Sequence, residues 1–248
     1  MFDIWQSMTV EPEPRSRRER PAKPALTRAG IVSAAVEVMR AEGLERVTLR
    51  RLAQELDTGP ASLYVYFRNV AALRAAILEE VLGTVVLPAR DDPGRWASCV
   101  TDALWSYSQL LVGHPSLARS ALSSRPSGPN YLAFVDYLLG ALEDGGVPPG
   151  QRAWGVDGLL LFATALAAEH SERRASSQSP RDHLELAATL RNITPALYPA
   201  IAAIGEELLM SGSTRARYEW GVRVLLAGLA ATPIPQDLRP ADAEGEDL

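Results

Sequence analysis

Apolar residues recur at helical spacing from about residue 27 onward, and the first such stretch predicts a helix over residues 27–41. The hydroxyl of Thr27 can cap its N-terminus, and Gly43 is placed to end it. The apolar positions lie three and four residues apart: Ile31, Ala34, Ala35, Val38 and Met39. This spacing predicts one apolar face along the helix.

Three further short helices follow the first. Thr48 is a second candidate cap, and it opens a helix through Leu56. The turn composition of residues 57–59 precedes Pro60, which suits the first turn of a third helix that runs only to about Tyr66. A fourth helix carries one apolar face: Leu73, Ala76, Ile77 and Val81.

The remaining pattern predicts seven more helices, near residues 94–112, 115–123, 128–144, 149–173, 181–191, 197–210 and 214–231. Serines and Pro180 interrupt residues 178–191, so a mobile loop is the alternative there. Aromatic residues make up only 6% of the chain while Ala and Leu are abundant, which disfavours a β-sandwich or barrel. We therefore predict an all-α fold.

Charge and proline divide the chain into four predicted parts. Residues 1–26 are Pro-rich, carry five basic residues between Arg15 and Lys23, and are expected to be a disordered basic arm suited to a polyanion. A compact domain over 27–72 and a larger helical domain over 73–232 follow, and residues 233–248 form an expected disordered acidic tail. Residues 1–74 hold 12 basic against 9 acidic residues, whereas residues 75–248 hold 13 against 21.

Several function classes are disfavoured by what the sequence lacks. Cys99 is the single cysteine, so neither an internal disulfide nor a multi-thiolate metal site can form. No secretory signal is visible, and the longest apolar run is well short of the about 20 residues that span a membrane, so we expect a cytoplasmic protein without membrane contact. The histidines lie far apart, and no Gly-x-Ser-x-Gly motif or metal-ligand spacing occurs. We expect no enzyme activity, no cofactor and no metal.

The first three helices fit the helix-turn-helix pattern, in which a second helix lies in the major groove of DNA. A helix of about seven residues is unstable alone, so the third helix must dock on its neighbours through Leu63 and Phe67. Its opposite face then offers hydroxyls for phosphates or base edges and small apolar groups for thymine methyls.

The stretch Val47–Leu73, with Leu-Ala-Gln-Glu-Leu, a short turn and Leu-Tyr-Val-Tyr-Phe-Arg-Asn, resembles the DNA-binding segment of TetR-type transcriptional regulators. The resemblance covers about residues 26–82. It implies that Arg50 reaches a guanine edge, that Ser62 and Tyr64 bind phosphates, and that Pro60 and Ala61 approach bases. The predicted DNA-binding residues are Thr27, Thr48, Arg50, Pro60, Ala61, Ser62, Tyr64, Tyr66 and Arg68.

Two positions depart from that pattern. Many members carry Gly where this chain has Asp57, and Lys where it has Val70. One phosphate contact at the fourth helix is therefore expected to be absent. The basic arm is a hypothetical source of replacement charge.

Residues 110–130 resemble the tetracycline-repressor branch, whose members are homodimers that hold a ligand in an all-helical domain. Counting back from Arg125-Pro126, Ala121 stands where tetracycline repressors carry the magnesium-binding histidine, so magnesium-tetracycline is not the expected effector. An apolar pocket would instead suit a hydrophobic or aromatic molecule. The predicted ligand-binding residues are Trp105, Tyr107, Phe134, Tyr137, Phe162 and Glu169.

Helices near 149–173 and 214–231 are predicted to form a four-helix homodimer interface, as is usual in that family. The second of them carries Tyr218, Val222, Leu225, Leu226 and Leu229 at helical spacing. The leading interpretation is a repressor that binds double-stranded operator DNA and is released by a small-molecule effector. The alternatives are a small helical enzyme and a dimeric scaffold without specific DNA binding.

Overall fold

A computed structural model describes residues 25–123, 126–176 and 179–235. These residues form helices and no strands, which confirms the all-α prediction. Short 3-10 turns lie at Leu44–Arg46 and Pro93–Arg95. The α-helices of the described chain are α1 (Arg28–Glu42), α2 (Leu49–Glu55), α3 (Pro60–Tyr64), α4 (Val70–Leu82), α5 (Trp96–Val112), α6 (Pro115–Ser123), α7 (Pro129–Asp144), α8 (Pro149–Ala175), α9 (Ser179–Arg191), α10 (Pro199–Ile204), α11 (Glu206–Met210) and α12 (Thr214–Ala231).

The predicted capping residues act as expected. Thr27 Oγ1 accepts a hydrogen bond from the amide of Gly30 at 3.0 Å, and Thr48 Oγ1 accepts one from the amide of Arg51 at 3.0 Å. Gly43 ends α1 at a φ of 89°, a conformation that glycine adopts without strain. These caps satisfy amides that the first helical turn leaves unpaired.

Two stretches differ from the sequence pattern. The single helix predicted over residues 197–210 is wrong: Gly205 adopts a φ of 78° and separates α10 from α11. Residues 179–191 form α9 and not the loop given as an alternative, since Pro180 suits a first helical turn and Asp182 adds a favourable charge there. The predicted basic arm lies outside the described residues up to position 24, and the predicted acidic tail lies outside them from position 236.

Helices α1–α4 form a compact module around a shared core. Ile31 and Ala35 of α1 and Leu52 of α2 are fully or almost fully buried, as are Leu63 and Phe67 at α3. Helix α3 is only five residues long, so the burial of these last two side chains holds it in place.

The turn between α2 and α3 is a Schellman motif closed by Asp57. The amide of Asp57 donates to the carbonyl of Gln54 at 3.1 Å, and the amide of Thr58 donates to the carbonyl of Ala53 at 2.8 Å. Asp57 has a φ of 45°, the only positive value among the described residues that are not glycine. The turn therefore places a side chain where glycine would be less strained.

The second part of the fold is a helical bundle centred on α5 and α8. Helix α8 packs against α5, α6, α7 and α12, and α5 also contacts α7. Helix α4 joins the two parts, because it packs against α1 on one side and against α6 and α7 on the other. The predicted domain boundary at residues 72/73 falls inside α4. None of the described helices is both long and apolar enough to cross a bilayer.

A carboxylate on α4 caps α7. Gly128 precedes α7 and has no side chain to serve as a cap, and Glu79 takes that role. The Glu79 carboxylate accepts hydrogen bonds from the amides of Asn130 at 2.6 Å and Tyr131 at 3.3 Å. A Cβ atom at Gly128 would lie 2.4 Å from the Glu79 side chain, so a larger residue there would displace the carboxylate that caps α7.

The left-handed turn at Asp57 gives a stability prediction. Valine there places a β-branched side chain at positive φ, and we expect Asp57→Val to lower the free energy of unfolding by about 1–2 kcal/mol. Asp57→Gly removes the strained Cβ and should unfold at a higher urea concentration than the valine variant. Urea unfolding followed by circular dichroism measures both midpoints. Equal midpoints would show that the turn does not constrain stability.

Candidate nucleic-acid interface and ligand cavity

Helix α3 presents one buried and one exposed side. Leu63 is fully buried and Phe67 is 1% exposed, whereas Tyr64 is 57% and Val65 is 82% exposed. Val65 follows directly after the last residue of α3. Exposed apolar and hydroxyl groups of this kind are able to contact base edges and phosphates of DNA.

Helix α2 carries two adjacent arginines with different surroundings. Arg51 forms ion pairs with Glu42 at 2.6 Å and with Glu55 at 2.8 Å. These hydrogen bonds raise the pKa of Arg51 above its usual value. Arg50 is exposed, and no described residue forms an ion pair with it. Of the two, Arg50 is therefore the guanidinium that remains available for a ligand.

The other predicted DNA-binding residues are also exposed. They are Thr27, Thr48, Pro60, Ala61, Ser62, Tyr64, Tyr66 and Arg68. The Tyr66 hydroxyl donates to the carbonyl of Leu26 at 2.6 Å, so its proton is not available to a phosphate or a base in this conformation. Asn69, which the sequence analysis did not single out, caps α4 by accepting from the amide of Ala72 at 2.8 Å. The Asn-x-x-Ala spacing before an apolar run was the signal that could have found it.

A cavity of about 80 Å³ lies between α4, α6, α7 and α8 and reaches α5. The residues that line it are mainly apolar, and two of them belong to α4. The lining residues are Leu78, Leu82, Tyr107, Ala121, Leu122, Pro126, Tyr131, Phe134, Asp157, Leu160, Leu161 and Thr164. The sequence pattern gave no sign that α4 faces this space, because Leu78 and Leu82 follow the same spacing as core residues.

Two of the six predicted ligand-binding residues line the cavity. Tyr107 and Phe134 lie with their ring centroids 5.3 Å apart. The Tyr107 hydroxyl lies 2.7 Å from Thr164 Oγ1, which itself donates to the carbonyl of Leu160 at 2.7 Å. Because a hydroxyl has one proton, Tyr107 is the donor to Thr164. Burial raises the pKa of Tyr107 to about 12, so it stays neutral at pH 7.

Trp105 and Phe162 lie outside this cavity and face α12. The Trp105 ring packs edge-on against Tyr218 at 4.9 Å, and Phe162 lies 6.1 Å from the same ring. Gly221 leaves room for Phe162, since a Cβ atom there would lie 2.4 Å from the Phe162 ring. Both residues stabilise the contact between α12 and the bundle.

Tyr137 and Glu169 also lie outside the cavity. The Tyr137 hydroxyl donates to the carbonyl of Pro88 at 2.8 Å. Glu169 is exposed and pairs with Arg173 at 2.5 Å within α8. The structure therefore separates four of the six predicted ligand-binding side chains from the cavity that the other two share.

The cavity does not fit a magnesium site. Ala121, the position compared with a metal-binding histidine, lies in its wall and offers only a methyl group. Asp157 is the single carboxylate of the lining, and no group of three or more His, Cys, Asp or Glu side chains across the described ranges could hold a metal ion. A hard divalent cation prefers several oxygen ligands, which these walls do not provide.

An apolar face of α8 and α12 is not covered by any other residue that the structure describes. Leu161 is 60% and Trp220 is 64% exposed, and Trp154 and Val224 are about half exposed. The five α12 residues named from the sequence pack toward the protein's own core instead: Tyr218, Val222 and Leu226 are buried, and Leu225 and Leu229 are partly buried against that core. Helical spacing alone could not tell which of the two apolar faces of α12 packs on its own bundle.

Known proteins match the chain over both parts of the fold. Residues 31–77 match the family model described as bacterial regulatory proteins, tetR family, and residues 87–232 match the one described as tetracyclin repressor-like, C-terminal domain. The chain belongs to the TetR family. It is 31% identical over 236 residues to an HTH-type transcriptional regulator of Saccharopolyspora erythraea, with 92% of each chain covered.

Solved TetR structures share the fold. SCO7704 from Streptomyces coelicolor, a protein assigned as a transcription regulator, is 49% identical with a TM-score of 0.72, and the match covers 87% of this chain and all of that one. ActR from the same organism, in complex with actinorhodin, is 34% identical with a TM-score of 0.75, covering 84% and 97%. The chain is therefore a TetR-family DNA-binding transcriptional regulator.

The geometry of α2 predicts the effect of removing Arg50, whose guanidinium forms no ion pair with a described residue. If Arg50 makes the predicted bidentate contact to guanine, Arg50→Ala should weaken operator binding by about 1–3 kcal/mol and relax the preference at one base position. Arg40→Ala is the matched control, because Arg40 is exposed but paired with Glu37 near the end of α1. Fluorescence anisotropy with operator duplexes substituted at each base measures both effects. An unchanged base preference would contradict the role given to Arg50.

Proposed function

We propose that the protein is a repressor that binds operator DNA as a homodimer and is released by a small hydrophobic or aromatic effector. The observation that carries this proposal is that α4 belongs both to the cavity wall and to the helix-turn-helix module. Leu78 and Leu82 line the cavity, while the same helix packs against α1 in the helix-turn-helix module. A ligand that displaces α4 would move the DNA-reading helix with it.

In this proposal the α1–α3 face contacts DNA through the exposed residues named above. Arg50 reaches a guanine edge, Ser62 and Tyr64 bind phosphates, and Pro60 and Ala61 approach bases. Thr27 and Thr48 stand at helix N-termini, where amides and the helix dipole favour a phosphate. Residues 27–72 then serve as the DNA-binding domain and residues 73–232 as the effector and dimerisation domain.

The uncovered face of α8 and α12 is the proposed dimer interface. Trp154 and Leu161 are exposed on α8, Trp220 and Val224 are exposed on α12, and the two helices pack against each other. Gly158 leaves open space beside this face, which allows close helix approach. Two helix-turn-helix modules would read half-sites one DNA turn apart and combine their binding energies.

The cavity favours an effector that is apolar and must widen it. Drug-sized ligands occupy roughly 300–1,000 Å³, far more than the about 80 Å³ present. A ligand that fits only a widened cavity has different affinities for two states, as release from DNA requires. The ActR relative binds actinorhodin, which makes this compound the first probe to test.

The dimer proposal predicts that a charge on α12 separates the subunits. Trp220→Asp should shift the particle from twice the 26.8 kDa chain mass to the mass of one chain, because a carboxylate is costly in an apolar interface. Leu132→Asp is the control, since Leu132 is 58% exposed on α7, a helix that is not part of the proposed interface. Sedimentation velocity measures both. A Trp220→Asp protein that remains dimeric would place the interface elsewhere.

The cavity proposal predicts a separation between effector response and DNA binding. Ala121→Phe should fill the cavity and remove the response to effector while operator affinity stays near that of the wild type. A ligand at a hundredfold its dissociation constant raises the free energy of unfolding by about 2.7 kcal/mol. Binding is therefore measured as a rise in melting temperature with actinorhodin and with a panel of fused-ring aromatic compounds. Ala175→Phe at the exposed end of α8 is the control. An unchanged shift in Ala121→Phe would place the effector outside this cavity.

A further inference from the structure

A groove of about 590 Å³ lies where the helix-turn-helix module meets the helical body. Helix α4 and the 3-10 turn Leu44–Arg46 form one side of it, and α6 forms the other. Helix α6 packs against both α4 and that turn. The groove shares no lining residue with the apolar cavity described above. It is therefore a second space at the junction between the two parts of the fold.

Arg74 of α4 lines this groove and carries an unpaired charge. Its Nε atom is shut off from solvent and has no hydrogen-bond partner among the described residues. No ion pair joins its guanidinium to another described residue, and the side chain is partly buried. A buried donor without an acceptor is costly, and a charged one more so. The positive charge of Arg74 therefore favours an anionic acceptor from outside the chain.

A second guanidinium lines the groove from α6. Arg119 donates to the carboxylate of Glu172 on α8, and its Nη2 atom lies 3.4 Å from the carboxylate of Glu45 in the 3-10 turn. The Arg119 side chain is 52% exposed and that of Glu45 is 64% exposed, so this longer ion pair contributes little. Glu45 can therefore give way to a stronger acceptor at Arg119.

Two serines of α6 add hydroxyl groups to the same wall. Ser116 and Ser120 are four residues apart, so they lie on one face of α6, and both line the groove. Ser116 Oγ accepts a hydrogen bond from Arg119 Nη2 at 2.9 Å, which leaves the hydroxyl proton for another acceptor. No described residue forms a hydrogen bond with the Ser120 hydroxyl. Both hydroxyls are therefore available as donors.

This set of donors matches the chemistry of a phosphate group. A guanidinium forms paired, charge-assisted hydrogen bonds with phosphate oxygens, and a phosphate monoester has three free oxygens and close to two negative charges. The groove is much larger than one phosphate ion, and its volume falls in the range of small-molecule sites, roughly 300–1,000 Å³. Val70 and Ala71 supply an apolar wall for the remainder of such a molecule.

We propose that this groove binds the phosphate group of a small molecule, with Arg74 and Arg119 as its cationic ligands and Ser116 and Ser120 as hydroxyl donors. The bound phosphate ties α6 to α4, the helix that joins the two parts of the fold. The site goes beyond the proposed function, because its binding requires neither operator DNA nor the effector of the apolar cavity.

The test uses the full chain and isothermal titration calorimetry in a buffer free of phosphate and sulfate. The probes are inorganic phosphate, phosphoserine and phenyl phosphate, and the unphosphorylated controls are serine and phenol. The phosphates should bind at one site per chain, and the controls should not bind. Tighter binding of an ester supports an organic phosphate as the ligand, whereas equal binding of all three probes supports free phosphate. Binding of none of the three would overturn the proposal.

Substitutions locate the site. Arg74→Gln and Arg119→Gln should each weaken phosphate binding by at least about tenfold, because each removes a charge-assisted pair. Arg74→Lys keeps the charge without the paired donors, so its affinity should fall between those of the wild type and Arg74→Gln. Arg95→Gln is the control and should bind as the wild type does, since Arg95 is exposed and does not line the groove. Unchanged affinity in either glutamine variant, or an equal loss in the control, would contradict the assigned site.

Glu45→Gln is a variant that should gain affinity. It removes a carboxylate that repels the phosphate and competes with it for Arg119, so phosphate should bind at least about threefold more tightly. If Arg74 and Arg119 only stabilised the fold, the Glu45 substitution would produce no such gain. Operator titrations separate a further alternative. An Arg74→Gln protein with weakened operator binding and unchanged phosphate binding would place Arg74 in the DNA interface and overturn the proposal, while leaving the proposed function intact.

Discussion

A helix of five residues has too few internal hydrogen bonds to persist in water, and α3 is such a helix. Its position depends on two side chains, Leu63 and Phe67, that are buried against α1, α2 and α4. Every group on its outer side takes its direction from this packing. The reading surface is therefore as rigid as the small core beneath it, and Pro60 and the Asp57 turn fix where the helix begins.

Helix α4 connects the two parts of the molecule through contacts of different kinds. Its apolar side chains belong both to the N-terminal core and to the cavity wall, while Glu79 binds the first amides of α7. A shift of α7 is thus transmitted to α4 by a hydrogen-bonded cap as well as by packing. In the proposed function, this dual attachment is the route by which a ligand in the cavity would change the position of α2 and α3.

Much of the N-terminal module could be predicted because its signals are local. Thr27, Thr48 and Pro60 each act within one helical turn, so their neighbours in sequence are their neighbours in space. The cavity could not be predicted in the same way, since it depends on how five helices cross. Trp105, Tyr137 and Phe162 are aromatic residues on helices, as Tyr107 and Phe134 are, but they pack outside the cavity, and Glu169 faces solvent. Gly205 was equally ambiguous, because a glycine within an apolar helical pattern is compatible with a continuous helix or with a break.

The pairing of Glu79 with Gly128 restricts how this protein can diverge. A longer residue at position 128 would collide with the carboxylate, and a shorter residue at position 79 would leave the amides of α7 unpaired. A change at either position therefore alters the contact that the other makes. Among descendants of this sequence, Glu79 and Gly128 should be retained or replaced together. A chimera that joins the first 82 residues of one regulator to the body of another should fold well only if it keeps both residues.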